Sequence, residues 1–146
     1  MVEIRKKKFF INKEIKKINF SNYKIGSIVS FIGYVRDFYN ENDKLMSLHL
    51  EYYEGMTQKS LNAIESSARK KWNLENISII HRYGELKIHD EIVLVIVASK
   101  HRDESFKACQ YIVDHLKIKA PFWKKEISTT KSSWVEQKDS DLIKVK

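Results

Sequence analysis

The sequence predicts an α+β fold, and three observations carry that prediction. Short runs rich in β-branched and aromatic residues recur along the chain, each of strand length. Two longer segments repeat apolar residues at helical spacing. The resulting order is β-β-α-β-β-α-β-β, with no repeat, low-complexity tract or Pro/Gly linker to divide it. At 146 residues, a single domain over 1–146 is expected, with 1–25 adding little to the pattern and 137–146 forming a flexible tail. Hydrophobic residues make up 42%, including seven Phe, seven Tyr and three Trp. That share can bury a core without metals or disulfides and excludes a disordered chain.

The elements follow in order. "GSIVSFIGYVR" (26–36) is apolar, β-branched and aromatic, as a buried strand requires. "DFYNENDK" (37–44) is a polar loop. In "LMSLHLEYY" (45–53), Met46, Leu48, Leu50 and Tyr52 alternate with Leu45, Ser47, His49 and Glu51, giving a strand with one wetter face. Thr57 is placed to cap a helix running to about Trp72, with Leu61, Ile64, Ala68 and Trp72 on one stripe. "ISIIHRYG" (77–84) and "EIVLVIVAS" (91–99) are strands, and the polar "ELKIHD" (85–90) lies between them. A second helix is expected from Asp103 to Lys117, with Phe106, Cys109, Val113 and Leu116 as its apolar stripe. Pro121 forbids its simple continuation. "FWKKEI" (122–127) and "SWVEQ" (133–137) form two strands around a polar turn.

Charge and cysteine content narrow the function classes. The net charge is +8, and residues 1–17 alone hold seven basic residues against two acids. A basic chain fits an anionic partner such as nucleic acid, a phosphate or an acidic protein surface, although solvated lysines give the same count. The single Cys109 allows no intrachain disulfide and no cysteine metal cluster. It shares an apolar stripe, so it reads as an inert core thiol. The five histidines show no zinc-ligand spacing, and neither a P-loop nor GxGxxG is present. The positive N-terminus lacks a signal-peptide apolar core, and "IVLVIVA" (92–98) is too short to span a bilayer. The expected location is cytoplasmic.

Three stretches carry candidate chemistry. "SKHRDESF" (99–106) joins a strand to a helix, where backbone N–H groups attract anions and His101 and Arg102 add charge. Exposed charges at a strand end look the same. Arg36 closes the first apolar strand, and Gly33 before it allows close approach of a ligand or another backbone. In "LKIKAPFWKKE" (116–126), four lysines surround the only proline. Lys117 and Lys119 also suit a helix C-terminus. Lys124 and Lys125 are adjacent, so on a strand they point to opposite faces. A bend at Pro121 would bring Lys117 and Lys124 to one anion, with Phe122 and Trp123 shielding it or packing in the core. Composition and spacing do not name that anion.

Taken together, "GSIVSFIGYVRD", "LEYYEGM", "ISIIHRYGEL", "DEIVLVIVASKHRDESF", "YIVDHLKIKAPFWKKE" and "WVE" resemble the large, catalytic subunit of molybdopterin synthase. The pieces occur in the family's order and cover most of 26–136. The resemblance implies an α/β hammerhead fold with an additional antiparallel β subdomain. It implies a sulfurtransferase of molybdenum cofactor biosynthesis that converts cyclic pyranopterin monophosphate (precursor Z) to molybdopterin. Sulfur would come from the C-terminal glycine thiocarboxylate of a small ubiquitin-like partner subunit. Two large subunits would form a homodimer at the centre of a heterotetramer. No cofactor, metal, nucleic acid or membrane is implied.

Matching positions imply the site. Lys117 and Lys124 are the catalytic pair, Lys117 steering the thiocarboxylate and assisting proton transfer. Phe31, Tyr34, Val35, Arg36, His101, Arg102, Lys125 and Glu126 join them in binding substrate, with Phe31 beside the partner tail and Glu126 orienting a lysine. Tyr34, Val113 and Lys138 depart from residues common in relatives, where a lysine, a methionine and an arginine stand. Two other classes compete: a small basic nucleic-acid-binding module, suggested by the charge, and an inactive relative that only binds a ubiquitin-like partner. Terminal placement of the charge argues against the first, and retention of Lys117 and Lys124 against the second.

Overall fold

The computed structural model describes residues 1–21, 23–36, 45–128 and 132–134. Among these the order begins with β1 (Val2–Arg5), α1 (Ile11–Lys16), β2 (Ser27–Tyr34), β3 (Leu45–Tyr52) and α2 (Met56–Lys71). It continues with β4 (Leu74–Arg82), β5 (Gly84–Lys87), β6 (Glu91–Ser99), α3 (Arg102–Lys119), β7 (Phe122–Ser128) and β8 (Ser132–Trp134). The expected loop over 37–44, the strand end at 135–137, Lys138 and the tail lie outside the described residues.

The strands form two four-stranded sheets. The first has the order β1-β4-β6-β2, with β1 parallel to β4 and the other pairs antiparallel. Its central strands β4 and β6 alternate apolar residues to both faces, so both faces must be covered. On one face Ile77, Ile79, Val95 and Val97 pack against Leu61, Ile64 and Ala68 of α2 and Ala108, Cys109, Ile112 and Leu116 of α3. On the other, Ile80, Leu94 and Ile96 are closed over by Phe9 and Ile18, with Ile11 and Ile15 alongside. The N-terminal segment that carries most of the excess charge thus also supplies a lid for the core. The second sheet, β5-β3-β7-β8, is antiparallel throughout and packs Leu48, Leu50 and Leu86 with Val35. Gly84 turns the chain from one sheet to the other at φ +89°, a left-handed conformation that favours glycine.

The α+β class is as expected, and several local expectations change. β2 is an edge strand rather than a buried one, with Ser30, Phe31 and Tyr34 exposed. β1 and α1 add two elements at the N-terminus. Part of the segment between the two apolar strands is β5, whose Gly84 and Leu86 point inward while Glu85 and Lys87 face solvent. The N-cap of α2 is Gly55, not Thr57. Thr57 is the second residue of the helix and is fully buried, for a reason given below. On α3, Phe106 is 61% exposed and Ser105 is buried in its place. The helix approaches the sheet through small residues (Ser105, Ala108, Cys109), so the apolar stripe read from bulky residues is rotated from the true one.

Candidate active site

The two ends of α3 position most of the candidate residues. At its start, β6 ends at Ser99 and His101 is the helix N-cap, with Arg102 the first helical residue; both side chains are exposed. The junction is held from beneath by hydroxyls. Ser27 and Ser105 share a hydrogen bond of 2.7 Å, Ser99 bonds to Ser105, and the Ser99 hydroxyl donates to the His101 carbonyl. Gly26 is required here, because a Cβ would stand 2.2 Å from the Lys100 carbonyl oxygen. Asp103 and Glu104 in the first turn suit the helix dipole, and Asp103 pairs with Lys107 at 3.0 Å.

At the other end, Lys117 lies exposed in the last turn of α3, and the chain bends through Ala120 and Pro121 into β7. The bend is fixed by Thr57. Its hydroxyl donates to the Pro121 carbonyl (2.9 Å) and accepts from the Tyr53 N–H (2.9 Å). One side chain therefore links the start of α2 to the turn between the two lysines. β7 then pairs with β3, placing Lys124 opposite Leu50 and Lys125 opposite His49.

Strand alternation separates the two adjacent lysines. Phe122, Lys124 and Glu126 share one face of β7, and Trp123 and Lys125 the other. The Phe122 ring stacks on His81 of β4, with centroids 3.7 Å apart and planes at 12°, so the Lys124 face looks toward the first sheet. Lys125 points the other way, its ammonium 5.7 Å from the Trp134 ring. That outer face forms a cleft lined by Glu51, Tyr52, Tyr53, Glu54, Trp123 and Trp134. Lys125 is thus separated from Lys124 by the strand itself, and the sequence expectation that both bind one substrate is not met on one face.

The same end of the first sheet carries Arg36. β2 and β4 both run antiparallel to β6, pairing Tyr34 with Glu91 and His81 with Val93. Val35 is buried, and the β5–β6 turn grips its main chain: its N–H donates to the Asp90 carbonyl (2.9 Å), and the His89 N–H donates to its carbonyl (2.7 Å). His89 adopts φ 71° to do so. This grip sets where exposed Arg36 leaves the sheet. Val35 is a core residue, so it supports the site from below. Gly33 makes room within the chain: a Cβ there would meet Val93 Cγ1 at 2.9 Å and the Phe31 ring at 3.4 Å.

Arg36, Lys117 and Lys124 therefore share one end of the molecule, and His101 and Arg102 stand at the other. From Arg102 to Lys117 the helix rises about 22 Å at ~1.5 Å per residue. A single chain does not gather around one anion all the cations that the resemblance groups in one site.

His81 is the neighbour that sequence reasoning missed. Its signal in the sequence is a histidine in an otherwise apolar strand. It is buried, and its ring pKa is lowered to about 4, chiefly by burial and further by the charge of Lys124, against an opposing hydrogen bond to the Arg82 carbonyl. Cys109 is buried as expected, and burial pushes its thiol up to about 11, so it is no nucleophile at neutral pH. Among the described residues no group of His, Cys, Asp or Glu is arranged to hold a metal ion, and no helix is long and apolar enough to cross a membrane.

Known proteins resemble this chain over most of its length. A model of the MoaE protein family matches residues 4–119. The molybdopterin synthase catalytic subunit of Vibrio cholerae is 44% identical over 140 residues, covering 96% of this chain and 92% of the relative. Among solved structures, a molybdopterin biosynthesis MoaE protein from Burkholderia ambifaria gives a TM-score of 0.82 at 35% identity, over 99% of this chain and 96% of that one. Molybdopterin synthase from Staphylococcus aureus gives 0.84 at 33% identity, over 92% and 96%.

Proposed function

The chain belongs to the MoaE protein family, and from that premise we propose that it is the catalytic subunit of a molybdopterin synthase. It is an enzyme of molybdenum cofactor biosynthesis that moves sulfur onto cyclic pyranopterin monophosphate. The donor is the C-terminal thiocarboxylate of a small ubiquitin-like subunit. Both reactants are anions, and the observation that carries the reading is the bend at Pro121. Thr57 pins it, so that Lys117 and Lys124 project from the same end of the fold, where Arg36 also emerges.

Each residue has a task in this reading. Lys117, at the helix end, steers the thiocarboxylate and passes a proton during sulfur attack. Lys124 and Arg36 hold the substrate's anionic groups; an arginine matches a phosphate edge with paired N–H donors. Glu126 shares the Lys124 face and orients that lysine. Phe31, exposed on the edge strand β2, lines the approach of the partner tail, and Tyr34, exposed two residues before Arg36, contacts substrate. Lys125 serves the outer face. No protein persulfide is needed, because the sulfur arrives on the partner, and the buried Cys109 is consistent with that.

His101 and Arg102 enter the site from a second copy of the chain. They lie about 22 Å from Lys117 along their own helix, so they can share its substrate only if two copies meet with the start of one α3 near the end of the other. A two-fold homodimer places each residue pair reciprocally. With one small subunit per chain, the assembly is a heterotetramer.

A nucleic-acid-binding module is disfavoured by how the N-terminal charge is used. Arg5 pairs with Glu3 and Glu14, and Lys17 with Glu14. The exposed aromatic cleft on the second sheet includes Glu51 and Glu54, which repel phosphates. The test is direct: Lys117→Ala, mixed with thiocarboxylated small subunit and cyclic pyranopterin monophosphate, should form no molybdopterin while binding the small subunit as wild type does. Near-normal turnover in that variant would remove Lys117 from the reaction.

A further inference from the structure

His81 stands directly behind the proposed working face and has no role in the reaction as described so far. It is 8% exposed, lies near the end of β4, and faces β7 across the junction of the two sheets. Two contacts fix its ring. Nδ1 is 2.9 Å from the Arg82 carbonyl oxygen. A carbonyl only accepts, so Nδ1 carries the proton and Nε2 keeps a lone pair. The ring face lies flat on Phe122. Phe122 is the first residue of β7, and its own N–H donates back to the Ala120 carbonyl at 2.9 Å.

We infer that His81 is a positioning residue for Lys124: its imidazole, pinned by the Arg82 carbonyl and stacked on Phe122, sets where β7 starts against the first sheet and so where Lys124 stands relative to Lys117. The inference rests on the sulfur-transfer reading of those two lysines. Lys124 follows Phe122 by two residues on the same strand face, so a shift of the Phe122 ring is passed to it along about 7 Å of backbone. Thr57 fixes the bend from the α2 side, and His81 fixes the next residue from the sheet side.

The residue type matters as well as its shape. A phenylalanine would stack equally well but would leave the Arg82 carbonyl without its donor. A lysine or arginine would add a cation beside Lys124. Burial and the Lys124 charge hold His81 neutral at working pH, so it supports the lysine without competing for the anion. Arg82, on the opposite strand face, is also buried, with Nε donating to the Lys6 carbonyl (3.0 Å) and Nη1 to the Glu91 carbonyl (2.8 Å). The carbonyl that pins His81 therefore belongs to a residue that is itself anchored at two points.

The experiment uses the full chain assembled with its thiocarboxylated small subunit. His81→Phe should lower kcat at least about tenfold, with KM for the pyranopterin and the affinity for the small subunit within about threefold of wild type. His81→Gln, which restores an N–H donor without the ring, should recover part of that loss. Unchanged kcat in folded His81→Phe would overturn the inference. A second measurement does not depend on that variant folding. In wild type, imidazole nitrogen NMR should find the His81 proton on Nδ1 at neutral pH, and in Lys124→Ala the His81 pKa should rise. A His81 that titrates identically with and without Lys124 would also overturn it. The two readings fail differently: a wild-type complex that makes no molybdopterin defeats the sulfur-transfer function, whereas active wild type with indifferent His81 variants defeats only the positioning role.

Discussion

The two ends of α3 are built differently, although both display cations. The start is a short, rigid junction. Buried serine hydroxyls and a glycine that admits the Lys100 carbonyl fix it from below, while His101 and Arg102 stand out in solvent. The finish is a supported bend. Thr57 holds the Pro121 carbonyl, His81 holds Phe122, and Lys117 and Lys124 project from either side. The first end presents charge, and the second holds a lysine on each side of one supported bend. On the proposed reading the chemistry belongs to the second end, and the first contributes through another copy.

Substitutions at the two ends should therefore differ in size and kind. In the proposed reaction Lys117 meets the reacting atoms, so Lys117→Ala should lose about 10²-fold or more in turnover. Arg102 is proposed only to contact substrate, so Arg102→Ala should lose about 10-fold, mainly in KM. Steady-state kinetics with the thiocarboxylated small subunit measures both. Equal effects, both confined to kcat, would erase the distinction between the ends.

Acid sharpens the comparison at the bend. His81 titrates near 6.5 when unfolded and at about 4 when folded, so between these values the unfolded chain binds the extra proton. Stability from this group is complete above pH 6.5 and falls as pH drops from 6.5 to 4, by about 3 kcal/mol in all. Denaturant unfolding across this range checks it, and His81→Phe should reduce the slope by about one proton. The start of α3 holds no comparable buried histidine among the described residues.

Thr57→Val tests the bend from the other side. It keeps the shape of the side chain but strips the Pro121 carbonyl and the Tyr53 N–H of their partner. A cost of about 1–3 kcal/mol in unfolding free energy is expected, with reduced turnover. Unchanged stability would mean the bend holds itself.

Much of this was legible in the sequence, for definite reasons. The runs 77–84 and 91–99 announce β4 and β6 because both strands are buried on both faces and need uninterrupted apolar residues. Lys117, Pro121 and Lys124 could be placed around one bend because proline ends a helix locally. What escaped depends on distant partners. Whether β2 is central or at an edge follows from sheet order, which a single strand does not encode. Ser105 is buried because Ser27 and Ser99 offer hydroxyls from two other strands. Thr57 reads as a cap until its partner at Pro121, 64 residues away, is known. His101 and Arg102 match the family motif as clearly as Lys117 does, and the helix expected over 103–117 already sets them apart; a second copy that would reunite them is not written in one chain's order.

The central claim is that each site takes its lysines from one chain and His101 and Arg102 from another. Co-expressed Arg102→Ala and Lys117→Ala chains test it most directly. Under random pairing half the dimers are mixed, and each mixed dimer rebuilds one of its two sites. With substrate held well below KM, activity should return to about a quarter of wild type, against about a tenth for Arg102→Ala alone and less for Lys117→Ala. A mixture no more active than its separate components would show that each chain works with its own residues, and would contradict the account.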